Sequence, residues 1–451
     1  MNLFSITNKN LQTKRSSFRR KEEEFNMATH STFSSLYGMS RRHFLKHLSA
    51  AAAWAGPAAH FLSALQSEAA ELQKNQKSVI LLWMGGGPST IDILDLKPGS
   101  ITGGPFTPIN TTGDMQICEH LPRMAKQMHQ MSIIRSMSTR EADHSRGRYY
   151  MHTGFVPNPS VEHPSYGAVI AQQLEATRSD LEIPPFVSIG GNSTGPGFLG
   201  LAYAPFVVDS NGRIRNLERE TSSERWQARI DFLNKLESRF IGQQRGMAAG
   251  EHKKIIEKTN RLLTSPQMEA FQISKESARV RENYGNTNFG RGCLMARRLV
   301  EVGVPFVEVD LGGWDTHSDN FNQLQTKLPE MDLAMAALTA DLADRGMLDH
   351  VAVLWMGEFG RTPRINGNTG RDHWARSWSA MVGGAGFKRG IAVGKTNADG
   401  TEVETTPYSS EDLMATVLQS IGISLDTRFT SANGRPMKIA GGGSPIKELL
   451  T

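Results

Sequence analysis

The chain has 451 residues, 39% of them hydrophobic and 21% charged, a length and composition that bury a sizeable core and exclude a globally disordered chain. Its formal net charge of +5 resides before Ala70, where nine Lys and Arg face four acids; the remainder is balanced at 41 against 41, so no global charge draws it to nucleic acid or anionic lipid. The only cysteines, Cys118 and Cys293, exclude a disulfide scaffold and a cysteine zinc site, leaving two buried thiols or a single bridge.

In chain order, residues 1–69 read as a leader. Ser40-Arg41-Arg42-His43-Phe44-Leu45-Lys46 resembles the twin-arginine signal motif, an Ala-rich stretch follows from Leu48 to Leu65, and Ser67-Glu68-Ala69 offers small residues to a signal peptidase. The alternative is an ordinary amphipathic helix. Gly56, Pro57 and His60 interrupt the apolar stretch, and nothing later supplies a membrane span. A periplasmic or extracellular protein without a stable span after cleavage is expected.

Residues 70–451 read as one α/β domain, a doubly wound, mostly parallel sheet flanked by helices. Ser78–Trp83 is a continuous apolar run ending in a glycine turn, the pattern of a strand buried on both faces. Further strands are expected at Ser132–Arg135, Phe186–Ile189, Phe306–Asp310 and Val351–Met356, with helices at Tyr166–Thr177 and Pro329–Asp344, the latter opening on its proline. From about 222 to 302 the sequence turns charged and glycine-poor, with Trp226, Ile230, Leu233, Leu236 and Phe240 at helical spacing, which predicts a helical insertion. The turn at Gly85-Gly86-Gly87 lacks the Lys-Ser/Thr of a P-loop and the spacing of a dinucleotide fingerprint.

Ligands of such sheets gather beyond the carboxyl ends of the strands, and four segments follow strands there. Gly85–Asp95 brings Asp92 and Asp95. The segment after Ser132–Arg135 brings Asp143, His144, Ser145, Arg146, Arg148 and His152. The segment after Phe306–Asp310 brings Asp310, Asp315, His317 and Asp319. The segment after Val351–Met356 brings Glu358, Arg361, Arg364, Asp372 and His373. Mixed carboxylate and imidazole donors suit zinc, manganese or iron, and oxygen-rich sets suit magnesium or calcium. The bland alternative for each Asp–His pair is a cap or a surface hydrogen bond. Trp314, Phe359, Trp374 and Trp378 serve either as packing or as a wall for a ring substrate; Arg361, Arg364 and Arg371 serve either as clamps for a phosphate or sulfate or as structural ion pairs.

The segments VILLWMGGGPSTIDILDLKPG, RSMSTREADHSRGRYYMHTG, GFLGLAYAPF, GGWDTHSDNF, GEFGRTPRINGNTGRDHW and GRPMKIAGG, in this order from about Lys77 to the C-terminus, resemble the secreted bacterial family called domain of unknown function 1501, grouped with the alkaline phosphatases and sulfatases. The resemblance implies an alkaline phosphatase-like fold with divalent metal ions. In alkaline phosphatases the turn after the first strand carries a metal-binding Asp, where Gly85 stands here. Their nucleophile frame fits Asp143 to Gly154 with His144 at the serine position, Glu358 and Phe359 stand where their Asp-His metal pair lies, and His373 matches their last metal-binding His. Asp310, Asp315 and His317 match the loop supplying the remaining ligands.

The resemblance thus implies metal ligands at Asp310, Asp315, His317, Glu358, Asp372 and His373, for a zinc, calcium, magnesium or manganese ion. Catalytic candidates are His144, Ser145, Arg146 and Arg361, with Arg364 and Trp374 toward the substrate. His144 or Ser145 attacks, or water does, or His144 is itself a ligand. The leading expectation is an exported hydrolase of sulfate or phosphate esters, polysaccharide esters among them. The alternative is a non-catalytic metal- or carbohydrate-binding protein of the same fold that partners other secreted proteins; a transferase or mutase is a third reading.

Overall fold

The computed structural model describes residues 76–214, 222–242, 262, 264–431 and 433–451. The leader, with Arg41 and Arg42, and the side chains of Leu236 and Phe240 lie outside the described residues.

An eight-stranded sheet organises the chain: β1 Ser78–Trp83, β2 Met131–Met137, β3 Phe186–Ile189, β4 Phe206–Val208, β5 Phe306–Asp310, β6 Val351–Met356, β7 Trp378–Gly384 and β8 Ala392–Val393, in the order β8-β2-β7-β6-β1-β5-β3-β4. β1 lies parallel between β5, with Trp83 opposite Asp310, and β6, with Trp83 opposite Met356. Only β7 runs antiparallel to its neighbours, β2 and β6.

The alternation along β1 explains the two layers of helix. Val79, Leu81 and Trp83 enter a core shared with helices α1 His144–Thr153, α2 Tyr166–Leu174 and α6 Ser410–Ser420. Ile80, Leu82 and Met84 enter the opposite core, shared with α4 Asn288–Glu301 and α5 Asn320–Asp344. A strand whose successive side chains all meet apolar helices has no polar face, hence the unbroken SVILLW.

Four of the five expected strands coincide with β1, β3, β5 and β6, and the fifth, Ser132–Arg135, lies within β2. The helix expected from Pro329 instead begins at Asn320 and carries Pro329 inside it. Proline there removes one amide donor, yet Leu324, Leu328, Met331 and Met335 are all buried, and their packing carries the helix through. In the stretch expected as a helical insertion, α3 Ser223–Gly242 is helical, whereas α4 near its end covers the sheet and packs against α5 and β5. Cys118 and Cys293 are both buried and unbridged.

Candidate functional site

Loops from the carboxyl ends of β1, β5 and β6 meet the N-terminus of α1. The Asp143 side chain caps α1 by accepting from the Arg146 amide at 3.0 Å, which makes His144 the first helical residue. α1 can sit this close to the segment after β6 because of Gly147: a Cβ there would stand 3.1 Å from Phe359 and 3.2 Å from Glu358.

Three imidazoles share one arrangement. His144 Nδ1 lies 2.7 Å from Glu358 Oε1, His317 Nδ1 lies 2.8 Å from Asp372 Oδ1, and His373 Nδ1 lies 2.7 Å from the Ala142 carbonyl oxygen. A carbonyl or an ionised carboxylate only accepts, so each Nδ1 carries the hydrogen and donates it outward. The three Nε2 atoms then turn to one point. Asp315 Oδ1 stands there, 3.3 Å from His144 Nε2, 3.1 Å from His317 Nε2 and 3.3 Å from His373 Nε2. The two Nε2 atoms of His317 and His373 are 3.0 Å apart.

Donor atoms of His144, Asp315 and His373 all lie within 4.8 Å of one another. His144 Nε2 and Glu358 Oε2 are buried without a hydrogen-bond partner. Lone pairs facing one another around a carboxylate repel unless a proton or cation lies between them, and imidazoles oriented by outer acceptors characterise metal ligands. The residues present therefore fit a divalent ion.

The charges are arranged to keep Asp315 ionised. Partial burial pushes its carboxyl up, but the hydrogen bond and charge of Arg361, Nη2 to Oδ1 at 2.6 Å, with His373 and His144, bring it down to about 2. The hydrogen bond that His144 donates to Glu358 raises the pKa of His144, and the one that His317 donates to Asp372 holds that carboxyl below the usual range. Glu358 is itself fixed by the Gly86 amide, which donates to its Oε1 at 2.8 Å.

The other candidates stand as follows. Glu358 and Asp372 lie behind histidines and not at the point of convergence. Asp310 is not among the grouped donors, and its Oδ2 lies 3.8 Å from Arg148 Nη2. Arg361 is buried and directs its donors to the carbonyls of Gly86, Gly87 and Arg371 and to Asp315; Arg146 is held in a fork by Glu141. Ser145 and Arg364 are exposed, and Trp374 is half-buried. Trp314, Phe359 and Trp378 are buried as packing, Phe359 with its ring centroid 5.1 Å from that of His144 and 4.8 Å from that of His373. Sequence reasoning missed the Ala142 carbonyl, the Gly86 amide and Asn366, whose Nδ2 donates to the His317 carbonyl at 2.9 Å; backbone groups leave no residue-type signal. No helix among the described residues is long and apolar enough to cross a membrane.

Comparison with curated proteins returns no match. Among solved structures, the chain resembles a protein in the alkaline phosphatase superfamily from Vibrio parahaemolyticus, with 14% identity over 84% of this chain and 71% of that one and a TM-score of 0.34. It resembles PsFucS1 sulfatase from Pseudoalteromonas sp., with 13% identity over 80% and 70% and a TM-score of 0.34. It also resembles the phosphonate monoester hydrolase SpPMH from Silicibacter pomeroyi, with 12% identity over 82% and 76% and a TM-score of 0.34. Residues 76–450 match the family described as protein of unknown function DUF1501, and the chain belongs to that family.

Proposed function

We propose that the chain is an exported metal-dependent hydrolase of phosphate or sulfate esters, polysaccharide esters among them, with its divalent ion held by His144, Asp315 and His373 and flanked by His317. The observation that carries the reading is the turning of three Nε2 atoms toward Asp315 Oδ1 while each Nδ1 meets an outer acceptor. A donor set richer in nitrogen than in oxygen favours zinc or manganese over magnesium or calcium. Such an ion supplies Lewis-acid polarisation of an ester oxygen.

The chain's own residues do the rest. Glu358, Asp372 and the Ala142 carbonyl fix the rings, and Arg361 keeps Asp315 ionised and aimed inward. In this reading His144 is a ligand, because Glu358 holds its Nδ1; attack falls to Ser145, exposed on the next residue, or to water. Arg364, exposed on the Arg361 loop, offers charge to an anionic ester, and Trp374 offers an apolar edge beside His373.

Metal analysis of protein folded with zinc, manganese, magnesium and calcium available, followed by a screen of phosphate and sulfate esters, tests the proposal. Bound metal with turnover that falls at least about 100-fold in His144→Ala supports it; protein without metal overturns it. A second reading, a metal- or carbohydrate-binding protein without turnover, is favoured by the spending of Arg146 on Glu141 and of Arg361 on backbone carbonyls. Metal bound without hydrolysis of any ester would select it. Export by the twin-arginine route rests on Ser40–Lys46; Arg41→Lys with Arg42→Lys should leave precursor in the cytoplasm, and normal maturation of that variant would refute the assignment.

A further inference from the structure

We infer that Asp92 is a positioning residue that couples the two halves of the metal centre, an inference resting on the metal reading of His144, Asp315 and His373. Asp92 follows β1 on the short helix Thr90–Ile93, is 2% exposed, and forms no hydrogen bond or ion pair with the three histidines or Asp315. Its two oxygens take four donors. Oδ1 accepts from Arg371 Nη2 at 2.7 Å; Oδ2 accepts from Arg371 Nε at 2.8 Å, Asn320 Nδ2 at 2.9 Å and Ser89 Oγ at 2.6 Å.

The two branches from this carboxylate end beside the two pairs of site residues. Arg371 immediately precedes Asp372 and His373, and its side chain also donates to the carbonyls of Thr102 at 2.9 Å, Thr362 at 3.0 Å and Pro363. On the other branch, Asn320 Oδ1 accepts from Thr316 Oγ1 at 2.7 Å, and Thr316 is the residue between Asp315 and His317. The branches close on each other where the Arg371 amide donates to the Thr316 carbonyl at 3.0 Å.

A carboxylate withdrawn from water is tolerated only when its lone pairs are filled, and the planar Arg371 fork allows one orientation for that filling. The pair therefore fixes direction as well as proximity. A Cβ on Gly104 would stand 2.6 Å from Asp92 Oδ1 and 2.5 Å from Phe321, so the loop over Asp92 closes onto it with no room for a side chain. A change at Asp92 or Thr316 thus moves ligands with which neither forms a hydrogen bond or ion pair.

The test is titration of the full-length protein, stripped by chelation, with Co2+ alone, read by its visible absorption, whose position and intensity report ligand geometry. Wild type binds and shows a band. Thr316→Val, which removes one hydroxyl and leaves the Asp92–Arg371 pair intact, weakens Co2+ binding about 10-fold and displaces the band, and Thr316→Ser restores both. Asp92→Asn weakens binding about 10- to 100-fold, the range for partners that orient ligands. Should far-UV circular dichroism show Asp92→Asn unfolded, the two Thr316 variants decide alone. Wild-type affinity and band in Thr316→Val overturn the inference while leaving the metal centre standing. A wild-type protein that takes no Co2+ overturns the metal centre and this inference together.

Discussion

At the scale of the residue, the histidines are distinguished by what holds their outer nitrogens. Glu358 is 4% exposed and Asp372 54% exposed, so water can replace Asp372 as an acceptor and cannot replace Glu358. Glu358→Gln should therefore weaken metal binding toward about 100-fold and Asp372→Asn by about 10-fold or less, measured by competition with a chromophoric chelator. The reverse ranking would show that the outer acceptors do not set affinity through burial. Asp315, His317 and His373 were legible as Asp–His pairs after strands. The separation of the converging carboxylate from the outer acceptors was not, because a carboxylate in either role has the same letter and differs only in direction. The roles of the arginines were open for a related reason: an arginine serves as a clamp or a brace according to what stands opposite, and opposite Arg146 and Arg361 stand Glu141 and the carbonyl of Gly87.

At the scale of the element, legibility followed burial. β1, β5 and β6 lie near the centre of the sheet, covered on both faces, and their apolar runs announce them. β7 is as buried, yet ends in Gly383 and Gly384, which reads as a turn; a Cβ on Gly383 would stand 2.7 Å from the Gln130 carbonyl oxygen, so the close approach of the backbone leading into β2 itself demands the glycine. The contact of α4 with the Glu276 turn shows electrostatics at this scale. Glu276 Oε1 accepts from Arg297 Nη2 and Arg298 Nη1, both at 2.6 Å. Partial burial pushes its carboxyl up, but the two guanidiniums prevail and hold it below the ordinary range. A depressed carboxyl contributes stability in full above its unfolded value, about 4.3, and loses it as pH falls through the lower folded value. Glu276→Gln should cost about 1–3 kcal/mol at pH 7 and flatten the decline of stability below about pH 4.3. Urea unfolding across pH measures both, and wild-type and variant curves that stay parallel in acid would refute the coupling.

At the scale of the whole molecule, the centre gathers His144 from the N-terminus of α1, Asp315 from the loop after β5 and His373 from the two-residue strand His373–Trp374 that pairs with Gly360–Arg361 beyond β6, residues distant in sequence that share no element. The unfolded chain cannot hold these donors together, so an ion that binds them binds the folded state, and its affinity appears as stability. At a free concentration 100 times the dissociation constant, the linkage amounts to about 2.7 kcal/mol. A domain of this size has an unfolding entropy large enough to compress that into a rise of about 3 °C in Tm. Protein stripped with EDTA should therefore melt lower and recover on adding zinc or manganese, while His373→Ala should melt at one temperature with or without metal. A Tm in the wild type that ignores both chelator and metal, or a His373→Ala protein that retains the full increment, would place the ion elsewhere or nowhere. If only the increment is lost in the variant and its stripped form melts with stripped wild type, the ion stabilises the fold through these donors and His373 carries no packing role of its own.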